Sequence, residues 1–114
     1  MTTTELREPA FWILTVLARG RRHGYGVLDD ARQLSDGRVD LRVATLYATL
    51  DRLVADGLIA ADGDEIHDGR VRRYFRITDE GVARLGIEAE RLAASAAAAR
   101  ASLAAPRAQR VVLA

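Results

Sequence analysis

Residues 69–77 read Gly69-Arg70-Val71-Arg72-Arg73-Tyr74-Phe75-Arg76-Ile77, four arginines with no acid among them. A guanidinium is a planar fork of donors that fits the oxygens of a phosphate or a carboxylate and keeps its charge. Just upstream, residues 62–68 carry four acids: Asp62, Asp64, Glu65 and Asp68. Asp68-Gly69 between the two segments is a signal for a two-residue hairpin turn. That turn sets Glu65 opposite Arg72 and Asp64 opposite Arg73. Cross-strand opposite charges stabilise a hairpin by about 0.2 to 1 kcal/mol, so these arginines have a local role open to them. Exposed pairs are weak, however, and phosphate competes for the same fork. Arg70, beside the turn, is the least committed. Arg70, Arg72 and Arg73 are therefore candidate phosphate contacts, while Phe75 and Ile77 alternate inward as core.

A second set of residues precedes the acids. From Arg42 to Asp56 the chain is patterned as a helix, with Gly57 at the expected stop. Leu46, Leu50, Leu53, Val54 and Gly57 share one side at 3.6-residue spacing, with Val43 close by. The other side carries Ala44, Thr45, Ala48, Arg52 and Ala55, small or hydrogen-bonding groups. Thr45 can bond bases or phosphate, Arg52 can reach phosphate, and Ala44 and Ala48 permit close approach or touch a thymine methyl. Tyr47 sits where the faces meet; its phenol either bonds phosphate or seals the core edge. Taken alone, this is also the pattern of an ordinary amphipathic helix with a solvated face. Followed by a basic ribbon, it has what is needed to enter a major groove and grip the flanking backbone.

Other chemistries find little support. There is no cysteine, and the two histidines are His23 and His67. His23 is expected to cap or pack a helix connection, and His67 to be a solvated residue at the hairpin tip. No nucleophile pairs with a histidine at recognisable spacing, and no phosphate loop or metal-ligand cluster is present. No enzyme activity, cofactor or metal is expected. The 114 residues suit one modest core. Without an apolar run of about 18 residues or a signal-peptide pattern, the chain is expected to be cytoplasmic, with no membrane partner. Its net charge of +1 exerts no strong global pull on nucleic acid; the positive charge is local.

These groups need elements to hold them. Residues 1–5 are expected to form a disordered arm. A first helix is predicted from 7 or 9 to 19, with Pro9 in its first turn and Gly20 at its end. Its centre is apolar almost all round. Ala10, Ile13, Leu14 and Leu17 make one stripe, and Phe11, Trp12 and Val16 a second, so two separate covers are needed. A second helix is predicted over 25–34, and a short strand over 38–41. A last helix is predicted over 79–105, with Thr78 as cap and Asp79 and Glu80 at its positive end. Along it Val82, Leu85, Ala89, Leu92, Ala96, Ala99 and Leu103 recur in alternating steps of three and four, a heptad seam. That seam and the Phe11, Trp12, Val16 stripe are the candidate dimer interface. Trp12 serves either as interface packing or as a flat wall for a small aromatic effector. The fold class is α+β, mostly α: a winged helix-turn-helix of three helices and a two-stranded wing (1–78), a long C-terminal dimerisation helix (79–105) and a tail (106–114).

With these elements in order, the chain resembles the PadR family of bacterial transcriptional regulators. The resemblance rests on Arg7-Glu8-Pro9, His23-Gly24-Tyr25-Gly26, Thr45-Leu46-Tyr47, Asp56-Gly57-Leu58-Ile59, the strand from Gly69 to Thr78, and Thr78-Asp79-Glu80-Gly81, over about residues 6–104. The short single C-terminal helix is similar to the smaller branch of that family. The resemblance implies a homodimeric repressor on a palindromic operator in double-stranded DNA, in some members released by a small aromatic or drug-like ligand. The chain departs from it at Arg42-Val43-Ala44, where many relatives have serine-proline-glycine. Arg42 cannot accept the orphan backbone donors, which leaves Asp40 as the substitute cap. Two other functions stay open: a protein-interaction module, and a small-molecule sensor.

Overall fold

The computed structural model describes residues 6–106. Its elements are α1 (Glu8–Leu17), β1 (Arg22–His23), α2 (Gly24–Leu34), α3 (Val43–Ala55), β2 (Ile59–His67), β3 (Arg70–Ile77) and α4 (Asp79–Ala104). The strands form one antiparallel sheet in the order β1-β3-β2. The expected arm at 1–5 and the end of the tail, 107–114, lie outside the described residues.

Each element begins or ends for a local reason. Pro9 sits in the first turn of α1, where its missing N–H costs nothing. His23 caps α2: its Nδ1 accepts the Gly26 N–H at 3.2 Å. Gly57, at φ 77°, ends α3 in the left-handed region. Thr78 then joins two helices, its hydroxyl accepting the Gly81 N–H at 3.0 Å and donating to the Gly57 carbonyl at 2.7 Å. Gly81 has to be glycine, because a Cβ there would run into the Leu58 carbonyl oxygen.

The strand expected over 38–41 does not form. Ser35 is buried, and its hydroxyl takes the Val39 N–H at 2.9 Å, while its carbonyl takes the Arg38 N–H at 3.2 Å. With those donors used locally, the segment is an extended connection. The third strand is Arg22–His23 instead, which covers the other edge of β3 through Arg22↔Phe75 and His23↔Tyr74. Arg42, at the N-cap of α3, makes no side-chain cap bond, and among the described residues the expected Asp40 cap is not made.

The core gathers α1, α2, α3 and the base of the hairpin around Ile13, Leu14, Leu17, Val27, Leu46, Leu50, Ile59 and Phe75. Val16 belongs there as well, only 1% exposed. Its reading as surplus apolar surface is therefore corrected: α1 is wrapped further round by its own chain than a two-stripe pattern suggests. Phe11 and Trp12 stay half-buried. α4 packs against α1 near its start, with Leu85 touching the core, and then leaves the body. Twenty-six residues extend roughly 39 Å at 1.5 Å each. The molecule is accordingly 65 Å long but only 33 × 23 Å across.

Candidate nucleic-acid interface

On α3 the leucine stripe is shut away and the opposite side is open. Leu46 and Leu50 are fully buried, whereas Ala44, Thr45, Ala48, Arg52 and Ala55 are exposed. Val43 and Val54, predicted near or on the core side, remain partly exposed. Thr49 bonds back to the Thr45 carbonyl at 2.8 Å, so its hydroxyl is occupied. Tyr47 leans over the start of α2, close enough that a Cβ at Gly24 would fall 2.6 Å from its hydroxyl. Its ring seals that junction while more than a third of the residue remains exposed.

The wing has the expected turn and register. Asp68 at φ 52° and Gly69 at φ 74° form the two-residue reversal, and Asp64↔Arg73, Glu65↔Arg72, Ile66↔Val71 and His67↔Arg70 face each other. The ion pairs expected from that register are weak or diverted. Arg73 comes no nearer than 3.9 Å to Asp64. Glu65 turns to Arg21, Nη1 to Oε1 at 3.4 Å; the Tyr74 phenol first, and then Arg21, hold its carboxyl below the usual range. Arg72 instead lies 3.2 Å from Nε2 of His23. Among the described residues Arg70 has no ion-pair partner.

His23 links the wing to α2. Burial first, and then the Arg72 charge, lower its pKa from the ordinary 6.5, which favours the neutral ring. A neutral imidazole has a single acceptor nitrogen. Since Nδ1 accepts from Gly26, Nε2 carries the proton and meets Arg72 donor to donor. Arg72 is thus placed beside His23 without being held by it. Around these groups lies an open cleft of about 390 Å³, lined by His23, Gly24, Tyr25 and Tyr47 on one side and by Arg70, Arg72 and Arg73 on the other. It brings Tyr47 of α3 and the wing arginines together. Tyr25, noted in sequence only within a family motif, and Arg21 are not among the candidate DNA contacts; partners of Arg21 lie more than forty positions away.

A second cleft, of about 320 Å³, lies between α1 and α4. Phe11 and Trp12 form one wall, edge to face at 5.3 Å; Leu92, Arg38 and Glu88 complete it. Glu8 accepts the Trp12 indole N–H at 3.4 Å and an Arg38 contact at 2.8 Å. The buried Glu88 is held by Arg91 at 2.9 and 3.1 Å, which keeps its carboxyl below the ordinary range. Further along α4 the seam is open: Val82, Ala89, Leu92, Ala96, Ala99 and Leu103 are all exposed, and only Leu85 packs inward.

The model of the transcriptional regulator PadR-like family matches residues 13–87. The chain belongs to this family. PadR-like proteins are regulators and not enzymes, and membership makes this chain a regulator of transcription. It is 40% identical over 74 residues to a transcriptional regulator from Mycobacterium tuberculosis, covering 65% of this chain and 52% of that one. An uncharacterised Lysinibacillus sphaericus protein is 33% identical over 73 residues, or 64% and 67% of the two chains. The chain thus spans between about half and two thirds of these relatives. In fold it is similar to a PadR family regulator from Clostridium difficile, with TM-score 0.69, 23% identity and 85% and 99% of the two chains covered. It is also similar to Bacillus subtilis PadR, solved with operator DNA, with TM-score 0.62, 21% identity and 70% and 45% covered. Among the described residues of this PadR-like chain, no helix is long and apolar enough to cross a membrane.

Proposed function

We propose that this PadR-like protein is a cytoplasmic, homodimeric repressor that inserts α3 into the major groove of a palindromic operator while its wing grips the adjacent backbone. The observation that carries the reading is the first cleft, where Tyr47 of α3 and Arg70, Arg72 and Arg73 of the wing border one basic concavity. A duplex lying across it meets the small residues Ala44 and Ala48 with Thr45 and Arg52, and the guanidiniums meet phosphate. The Bacillus subtilis relative solved on operator DNA supports the same use of the fold. Two copies join through the α4 seam together with Phe11 and Trp12, which divides the chain into a DNA-binding part (1–78), a dimerisation helix (79–105) and a tail. Pairing of the half-sites follows from the two-fold axis.

The test is a double substitution, Thr45→Ala with Arg52→Ala, in a gel shift at physiological salt. Both side chains are exposed, so the fold persists. Each good base contact is worth about 1 to 3 kcal/mol of discrimination, and operator affinity should fall by at least tenfold. Unchanged affinity removes this face of α3 from the interface.

A second reading rests on the cleft beside Trp12. A planar aromatic effector seated between α1 and α4 would alter the angle between the body and the dimerisation helix, and so the spacing of the two α3 helices. Ligand and operator then oppose each other reciprocally. Aromatic compounds that quench the single tryptophan should release DNA in the same concentration range.

A further inference from the structure

The wing carries four acids beside its arginines, an arrangement that ought to weaken it as a phosphate grip. Two of the four are gathered by one residue outside the hairpin. Arg21, just before β1, places Nε 3.2 Å from the Asp62 carboxylate, Nη2 2.8 Å from the Asp62 carbonyl and Nη1 3.4 Å from the Glu65 carboxylate. Its guanidinium carbon lies 4.0 Å from the centre of the Tyr74 ring, and the Tyr74 phenol favours the ionised form of the same Glu65. In a regular strand residues 62 and 65, three apart, would point to opposite faces. Here the ladder slips between Ala61 and Asp64, with Gly63 at φ 84°. The bulge turns both acids toward one guanidinium.

Glu65 sits directly opposite Arg72 in the register. Left free, its carboxylate would be the nearest anion to that arginine. We infer that Arg21 is a positioning residue for DNA binding: by holding Asp62 and Glu65 against the Tyr74 ring, it keeps Glu65 off Arg72 and leaves Arg72 to take phosphate. Each of these contacts is half-exposed and weak alone. Their convergence on a single planar group, stacked on an aromatic ring, fixes the direction in which Glu65 points. The inference rests on the DNA-binding reading above.

The experiment measures binding of the full chain to a mixed-sequence duplex across a series of salt concentrations, since phosphate contacts carry no base information. Arg21→Ala should weaken binding roughly tenfold, the loss of one charge-assisted contact, and lower the salt slope by about one phosphate. Glu65→Gln alone should change little, because that acid is already occupied. In the Arg21→Ala background, Glu65→Gln should restore most of the lost affinity and slope. In an Arg72→Ala background, Arg21→Ala should cost little more. A gain from Glu65→Gln of the same size in both backgrounds would mean simple net charge and overturn the inference. No gain in either would mean that Arg21 touches phosphate itself or that the wing has lost its shape, and overturns it too. If the unmodified chain binds no duplex at all, the DNA-binding reading falls and the positioning role with it.

Discussion

α3 and α4 are both amphipathic in sequence, yet the body treats them in opposite ways. The leucines of α3 are closed into the core, and its small polar side faces out. In α4 the apolar side is the open one, with Val82 55%, Leu92 42% and Leu103 70% exposed. Hydrophobic periodicity says which residues share a side, but not what covers it. For α3 the cover is the rest of the domain, and the surface left for a partner is polar. Past Leu85 the apolar seam of α4 has no cover among the described residues, and on the reading proposed above that side meets a second copy. On that reading, one pattern marks the face proposed to meet DNA in one helix and the face proposed to join two copies in the other.

Substitutions along the two stripes should separate these roles. The largest effect is expected from Leu50→Ala, which leaves a cavity under α3 and should destabilise the fold by about 2 to 5 kcal/mol, read as a lowered denaturation midpoint with an unchanged slope. Leu92→Asp with Leu103→Asp, on the same type of stripe in α4, should leave most of that fold stability in place. It should instead halve the mass seen by sedimentation and weaken operator binding, because a single half-site remains. A pair of variants that both unfold, or a Leu92→Asp chain that stays dimeric, would break the contrast between the helices.

What was legible in the sequence was mostly short-range. The leucine spacing of α3, the Asp68-Gly69 turn with its register, the Thr78 cap and the His23 cap each depend on residues within a few positions of one another. The predicted strand over 38–41 failed for an equally local reason, since the Ser35 hydroxyl outcompetes a ladder for the Val39 N–H. Other features require the chain to be folded first. Val16 looked surplus until the body wrapped α1 more fully. Glu65 looked paired to Arg72 until Arg21, 44 positions away, was brought beside it. The candidate site has the same character: its residues were visible as types, but which arginine remains available depends on contacts that close only in three dimensions.

The smallest effect expected is a dependence on pH that belongs to the junction between α2 and the wing and to neither helix stripe. His23 has its pKa lowered from 6.5, chiefly by burial and then by Arg72, while Asp29 and Glu65 oppose the shift more weakly. A group whose folded pKa is depressed adds stability that is complete above its unfolded pKa and is lost as pH falls through the folded one. Stability should therefore be level above about 6.5 and decline on acidification below it, by no more than a helix cap is worth, about 1 kcal/mol. The carboxyls of Glu65 and Glu88 have pKa values lowered from 4.5, so their contributions fade only in a more acidic range. His23→Asn keeps a side-chain acceptor for the Gly26 N–H but does not titrate. Denaturant melts of both chains between pH 7 and 5 should diverge below 6.5, with the unmodified chain losing ground. Parallel curves would mean that protonating His23 leaves the cap intact, and that the ring packs against Tyr74 without holding the start of α2.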